Sequence, residues 1–267
     1  MAAKPLGLQK PLSVQPSLTV YASLQADRPR SATPGEATWA GFGDPLYPVG
    51  DPDGGREPVN PADGGFLLQP LPGTKEEVLS ISALFGGPRS RVFLGGEANE
   101  DAVRTLPGET KYLHFACHGL IDADFPMNSA LALSPAPSSE PLDAASRDDH
   151  RRDGFLQAWE IIQDLRLDSE CVVLSACETG LGKVLGGEGI MGLSRAFFYA
   201  GARSVVVSLW PISDESAQCF METFYREILA GAPRDVALLR ARARLAREGN
   251  YAHPFHWAAF ELHGRRD

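Results

Sequence analysis

Two short apolar runs in this chain end in side chains that can do acyl-transfer chemistry together. Cys171-Val-Val-Leu-Ser-Ala-Cys177-Glu-Thr-Gly180 carries a thiol, and Lys111-Tyr-Leu-His-Phe-Ala-Cys117 is followed at once by His118-Gly119. A thiol is only about a few per cent ionised at neutral pH, and a neighbouring imidazole activates it by accepting its proton or stabilising the thiolate. The same ring can then protonate a leaving amine. An acyl intermediate also needs donors for its oxyanion, and the amides of Gly119 and Cys177 are the natural choice, because glycine lets the backbone approach closely. The residue types therefore point to a cysteine peptidase with Cys177 as nucleophile and His118 as base. Such a reaction calls for no cofactor.

Both runs read as buried strands, since a short β-rich stretch closed by a glycine turn suits a sheet covered on both faces. Their reactive ends would then stand at the carboxyl edge of the sheet, where open α/β sheets place their ligands. His114 lies inside its strand and reads as a satisfied core residue. Cys117, Cys171 and Cys219 sit in apolar runs and read as packing residues. The absence of any CxxC pair argues against a structural zinc site, and no metal is expected.

The elements around these strands alternate from Leu71 onward. Thr74 with Glu77 three residues on offers a capping box for a helix with Val78, Ile81, Leu84 and Phe85 at helical spacing. Strand 91–94, helix 99–106, strand 112–117, strand 129–134 and a short helix 156–165 follow. Beyond the cysteine strand come helix 190–200, ended by Gly201, strand 204–209, amphipathic helices 215–230 and 234–247, and an apolar run 255–262. This order is the signature of βαβ crossovers. The expected fold is α/β, a three-layer sandwich around a mostly parallel sheet of about six strands. Residues 1–65 are dense in Pro and Gly and read as a separate segment with one or two short strands, at 17–24 and 37–43; the domain proper is expected over 66–267. Within it, the polar stretch 135–153 reads as a mobile surface loop.

Composition narrows the partners. A net charge of -9 and a pI near 5.2 argue against a nucleic-acid ligand. Arg240-Ala-Arg-Ala-Arg-Leu-Ala-Arg247 reads as the solvated side of a helix. No apolar stretch is long enough to span a membrane and the amino terminus lacks a secretory signal, so the cytoplasm is the expected location. Gly187-Glu-Gly189-Ile-Met-Gly192 fits the dinucleotide fingerprint GxGxxG, but residues 177–186 separate it from the preceding strand, and a flexible loop explains the glycines better. No GxSxG elbow is present.

Several motifs in register carry a resemblance. His114-Phe-Ala-Cys-His118-Gly119, Leu174-Ser-Ala-Cys177-Glu-Thr-Gly180, Gly187-Glu-Gly189, Ala200-Gly-Ala-Arg-Ser-Val205, Leu209-Trp-Pro-Ile-Ser-Asp-Glu215 and His253-Pro-Phe-His-Trp-Ala-Ala-Phe260 resemble, in order and spacing, the CHAT domain. This caspase-like peptidase domain is related to separase and often joined to tetratricopeptide repeats in bacteria. The resemblance implies a caspase-like sandwich, a His118–Cys177 dyad, and oxyanion donors from Gly119 and Cys177. It also implies a wall at Ser208, Leu209, Trp210 and Pro211, along which a peptide or protein substrate pairs as an added strand. Asp214 is the chosen acidic determinant for a basic P1 residue; Asp122, Asp124, Glu178 and Glu188 are its rivals, and an apolar P1 remains open. Residues 1–65 are too short for the family's usual upstream half and repeats, so either the chain is a fragment or substrate selection lies with a separate, repeat-containing regulatory protein. The alternative to an endopeptidase is a catalytically silent scaffold in a signalling or defence assembly.

Overall fold

The computed structural model describes residues 5–15, 38–47, 68–122, 124–135, 152–175, 177–180 and 188–267; for 177–180 and 188–190 the description is of the backbone. Among the described residues the strands are β1 Trp39–Gly43, β2 Ser90–Leu94, β3 Tyr112–Ala116, β4 His118–Ile121, β5 Ala130–Ala132, β6 Phe155–Gln157, β7 Cys171–Leu174, β8 Cys177–Gly180, β9 Ser204–Ser208 and β10 Phe260–Gly264. The helices are α1 Gly73–Phe85, α2 Glu100–Arg104, α3 Ala158–Asp164, α4 Glu188–Ala200, α5 Asp214–Leu229, α6 Arg234–Leu245 and α7 Pro254–Trp257.

Six strands make the main sheet in the order β10-β9-β7-β3-β1-β2, parallel throughout except for β10 against β9. Side chains alternate across a strand, and both faces of this sheet are covered. Leu113, Phe115, Val172, Leu174, Val205 and Val207 face one core, with Val103 of α2, Ile161 of α3 and Phe197 of α4. Tyr112, Cys171, Val173 and Val206 face the other, with Ile81 of α1, Phe224 of α5 and Leu238 of α6. That is the expected three-layer α/β/α sandwich.

A second sheet, β6-β5-β4-β8, was not foreseen. The chain bends at Cys117 between β3 and β4, and it leaves β7 after Leu174 before β8 begins at Cys177. His118 and Cys177 therefore open two strands of this smaller sheet rather than closing two strands of the larger one. Hydropathy missed the break because both apolar runs continue straight through it.

Other expectations are corrected as well. The 37–43 run forms β1, which lies inside the main sheet between β3 and β2, so a boundary at residue 65 would cut away an interior strand. The 17–24 run and residues 136–151 of the polar stretch lie outside the described residues. Farther upstream, Val14 bridges the outer edge of β10, donating from its amide to Leu262 O and accepting from Gly264 N. The reading of 156–165 as one helix gives way to β6 followed by α3, whose Gln157–Glu160 pair forms a true capping box. At α1 the expected box is absent: no side chain caps the N-cap residue, Pro72, because Thr74 and Glu77 bond elsewhere. In the arginine-rich stretch Arg240, Arg244 and Arg247 are exposed, whereas Arg242 is buried and donates to Phe260 O at 2.6 Å. No helix among the described residues is long and apolar enough to cross a membrane.

Candidate active site

β4 and β8 run parallel, and His118 and Cys177 are Cα partners in their ladder, followed by Gly119 with Glu178, Leu120 with Thr179 and Ile121 with Gly180. Neighbouring strands lie about 4.8 Å apart, so the two backbones bring these residues side by side. On its other edge β4 pairs antiparallel with β5, placing His118 opposite Ala132 and Gly119 opposite Leu131.

The His118 ring is buried, with 6% of the residue exposed. Its Nε2 lies 2.8 Å from the carbonyl oxygen of Gln69. A carbonyl can only accept, so Nε2 carries the proton and the neutral ring presents Nδ1 as a bare acceptor. Nδ1 is buried and has no hydrogen-bond partner among the described residues. Burial holds the ring's pKa below the usual histidine value, and the Gln69 carbonyl opposes that shift without cancelling it. The imidazole is therefore neutral at neutral pH.

Tyr47 completes the surroundings. The backbone N–H of His118 donates to its hydroxyl at 3.3 Å, and that hydroxyl donates to Ala132 O at 3.1 Å. The two rings are tilted with centroids 5.3 Å apart. Burial, followed by the nearby Cys117, drives the phenol pKa far up and keeps it protonated. Sequence reasoning singled out neither Tyr47 nor Gln69. Gln69 acts through its main chain, to which residue type is no guide, and Tyr47 lies in the Pro- and Gly-dense segment 1–65, outside the expected domain.

The remaining expected residues are distributed as follows. Ser208 is buried at the end of β9 and donates to Trp210 O at 2.9 Å, while Trp210 Nε1 donates to Phe255 O at 2.9 Å. Asp214 is exposed at the start of α5, where its carboxylate accepts from the backbone N–H of Gly73. Burial first, then the charges of Glu77, Glu215 and Glu76, raise its pKa. Among its rivals, Asp122 closes a turn by accepting from the amides of Asp124 and Phe125 at 3.0 and 2.8 Å. Asp124 is exposed, and the side chains of Glu178 and Glu188 lie outside the description.

His114 is a satisfied core residue, 3.1 Å from Glu77 Oε1 and 3.3 Å from the Tyr225 hydroxyl. Burial raises the thiol pKa of Cys171, and burial with the Glu248 charge raises that of Cys219, the reverse of what a nucleophile needs. Gly192 of the GxGxxG stretch packs against a loop: a Cβ there would stand 2.8 Å from Pro126 O.

The model of the CHAT domain family matches residues 2–265. Tetratricopeptide repeat protein 28 of Mus musculus is 28% identical over 224 residues, covering 74% of this chain and 9% of that protein; its Homo sapiens counterpart is 29% identical over 224 residues with the same coverage. The chain thus spans less than a tenth of the length of these relatives. Among solved structures, the Arg-specific cysteine proteinase gingipain R superposes with a TM-score of 0.52 at 8% identity, over 93% of this chain and 51% of that one. With a family match along nearly its whole length and a caspase-like architecture, the chain belongs to the CHAT domain family.

Proposed function

We propose that this CHAT domain is a cysteine endopeptidase acting through Cys177 and His118. The observation that carries the reading is the pairing of these two residues as Cα partners on adjacent parallel strands, with the imidazole tied at Nε2 and, among the described residues, unpartnered at Nδ1. In the reaction, Nδ1 takes the Cys177 thiol proton as the sulfur attacks the scissile carbonyl carbon. The amides of Gly119 and Cys177 hold the oxyanion. Collapse breaks the C–N bond, the amine leaves with the proton from Nδ1, and a thioester remains. Water then attacks the thioester, giving its proton to Nδ1, and the thiol is restored.

The substrate is an extended peptide segment laid along residues 208–211, with Asp214 favouring a basic P1 side chain. The arginine specificity named for gingipain R and the fold it shares with this chain support that choice. The tetratricopeptide repeats named in the curated relatives support a repeat-containing protein or domain as the element that selects substrate. Cys171 and Cys219 are in no disulfide among the described residues, which supports a reducing compartment such as the cytoplasm.

The test is labelling by a peptidyl chloromethyl ketone ending in arginine, with the modified residue located by peptide mass mapping. Cys177 should be labelled in the parent protein and in Cys117→Ala, and His118→Ala should abolish labelling without unfolding the chain. Full cleavage activity in Cys177→Ala would refute the assignment. Silence towards arginyl and apolar peptides alike, with and without repeat-containing partners, would favour the scaffold reading.

A further inference from the structure

Both groups that hold His118 come from one connection. Tyr47 lies on the arm that leaves β1, and Gln69 lies on the arm that enters α1. The two arms meet at a single buried side chain: Thr74 Oγ1 donates to Leu71 O at 2.7 Å and accepts from the backbone N–H of Asp44 at 2.7 Å. A hydroxyl offers one proton and two lone pairs, so it satisfies both arms at once. We infer that Thr74 is a positioning residue of this site, the staple that keeps the Gln69 carbonyl and the Tyr47 hydroxyl against His118.

Three observations support this role. Asp44 is the only non-glycine residue with positive φ among those described, at 49°, a conformation that persists where neighbours over-determine it. Here the neighbours are Thr74 on its amide and Gly95, which donates to its carbonyl at 3.1 Å. The preceding residue, Gly43, runs so close to the first turn of α1 that a Cβ would stand 2.8 Å from Thr74 O. Finally, Glu77, one turn further along α1, is bonded to His114 of β3, and His114 to Tyr225 of α5. Thr74 therefore sets the two arms relative to each other, while the Glu77–His114 contact sets α1 relative to the strand that leads into His118. The sequence pattern had cast this Thr–Glu pair as a helix cap.

The consequence is chemical. The carbonyl of Gln69 decides which ring nitrogen carries the proton, and a displacement of about 1 Å is enough to break such a bond. Without it the ring samples both tautomers, and Nδ1 ceases to be a dependable acceptor. This effect on catalysis rests on the peptidase reading; the effect on the ring does not.

The test uses the full chain in the Cys177→Ala background, with nitrogen-15 NMR of the imidazole. The parent and Thr74→Ser, which keeps the hydroxyl, should show the Nε2–H tautomer with a slowly exchanging proton. Thr74→Val should show mixed tautomers and exchange faster by tenfold or more. Thr74→Ala, which adds no bulk, gives the same readout if the valine variant fails to fold. A folded Thr74→Val or Thr74→Ala protein with unchanged tautomer and exchange would overturn the inference, as would a serine variant perturbed like the valine one. With Cys177 intact, Thr74→Val should lower kcat and leave KM unchanged. If the protein cleaves nothing, that arm is silent and the tautomer measurement still decides the role of Thr74.

Discussion

Replacing Glu100 by glutamine should stabilise the protein increasingly as pH rises and change little in acid. Glu100 and Glu160, 1% and 0% exposed, both reach Arg104 Nη2, at 2.8 and 2.9 Å, and Asp164 reaches Nε at 3.3 Å. Three carboxylates thus share one guanidinium. Burial, then the charge of Glu160, pushes the Glu100 pKa up to about 8 against the opposing pull of Arg104 and the Gly154 amide. Burial likewise raises Glu160 to about 7. Both folded values exceed the ordinary 4.5, so the folded state binds protons more tightly than the unfolded chain. The resulting stability is complete below about pH 4.5 and is lost as pH climbs through 7 to 8. One such proton is worth about 1.4 kcal/mol per pH unit, so a single proton shared by the pair implies a loss of roughly 3 kcal/mol between pH 5.5 and 7.5. Glutamine keeps an oxygen for the Gly154 N–H, now 3.0 Å from Glu100 Oε1, and removes the titration. Urea unfolding of both proteins at pH 5.5, 6.5 and 7.5 measures the difference, and every other titrating group is common to the two. Equal pH slopes, or a variant destabilised most at pH 7.5, would show that the ionised Glu100–Arg104 pair is a net gain and that the crowding argument is wrong. The result matters to the site because Gly154 and Glu160 brace β6, the outer strand of the sheet that carries His118 and Cys177.

Other perturbations test separate links. Gly192→Ala places a Cβ 2.8 Å from Pro126 O and should cost about 1–3 kcal/mol of stability, seen as a lower Tm; an unchanged Tm would mean that α4 and the Pro126 turn can separate freely. Because burial lowers the His118 pKa, the neutral base should persist below pH 6.5, so the acid limb of kcat/KM should lie beneath that value; a limb above it would contradict the buried ring. Asp214→Asn should lower kcat/KM at least about tenfold for peptides with arginine at P1 and leave apolar P1 peptides unaffected. Equal effects on both would remove Asp214 from the specificity pocket.

What the sequence determined by itself is the class of architecture and the two runs whose ends carry a thiol and an imidazole. Alternating apolar periods can only be buried as a parallel sheet between helices, and the strand residues divide between two cores as a period of two requires. A thiol and an imidazole at the ends of such runs, with family motifs in register around them, pointed to His118 and Cys177, and His114 was recognisable as packing from its place inside a strand. Tertiary structure alone decided how these residues are held. The bend at Cys117 and the end of β7 at Leu174, after which two strand ends enter a second sheet, leave no trace in hydropathy, which records burial one residue at a time. Thr74 and Glu77 match a local helix cap, yet long-range partners just beyond β1 and on β3 claim both, because a bond to a segment that must be packed in any case adds little further ordering cost. The carbonyl of Gln69 that fixes the His118 proton belongs to the main chain, and every residue has one; only the folded path of the connection puts this one beside the ring.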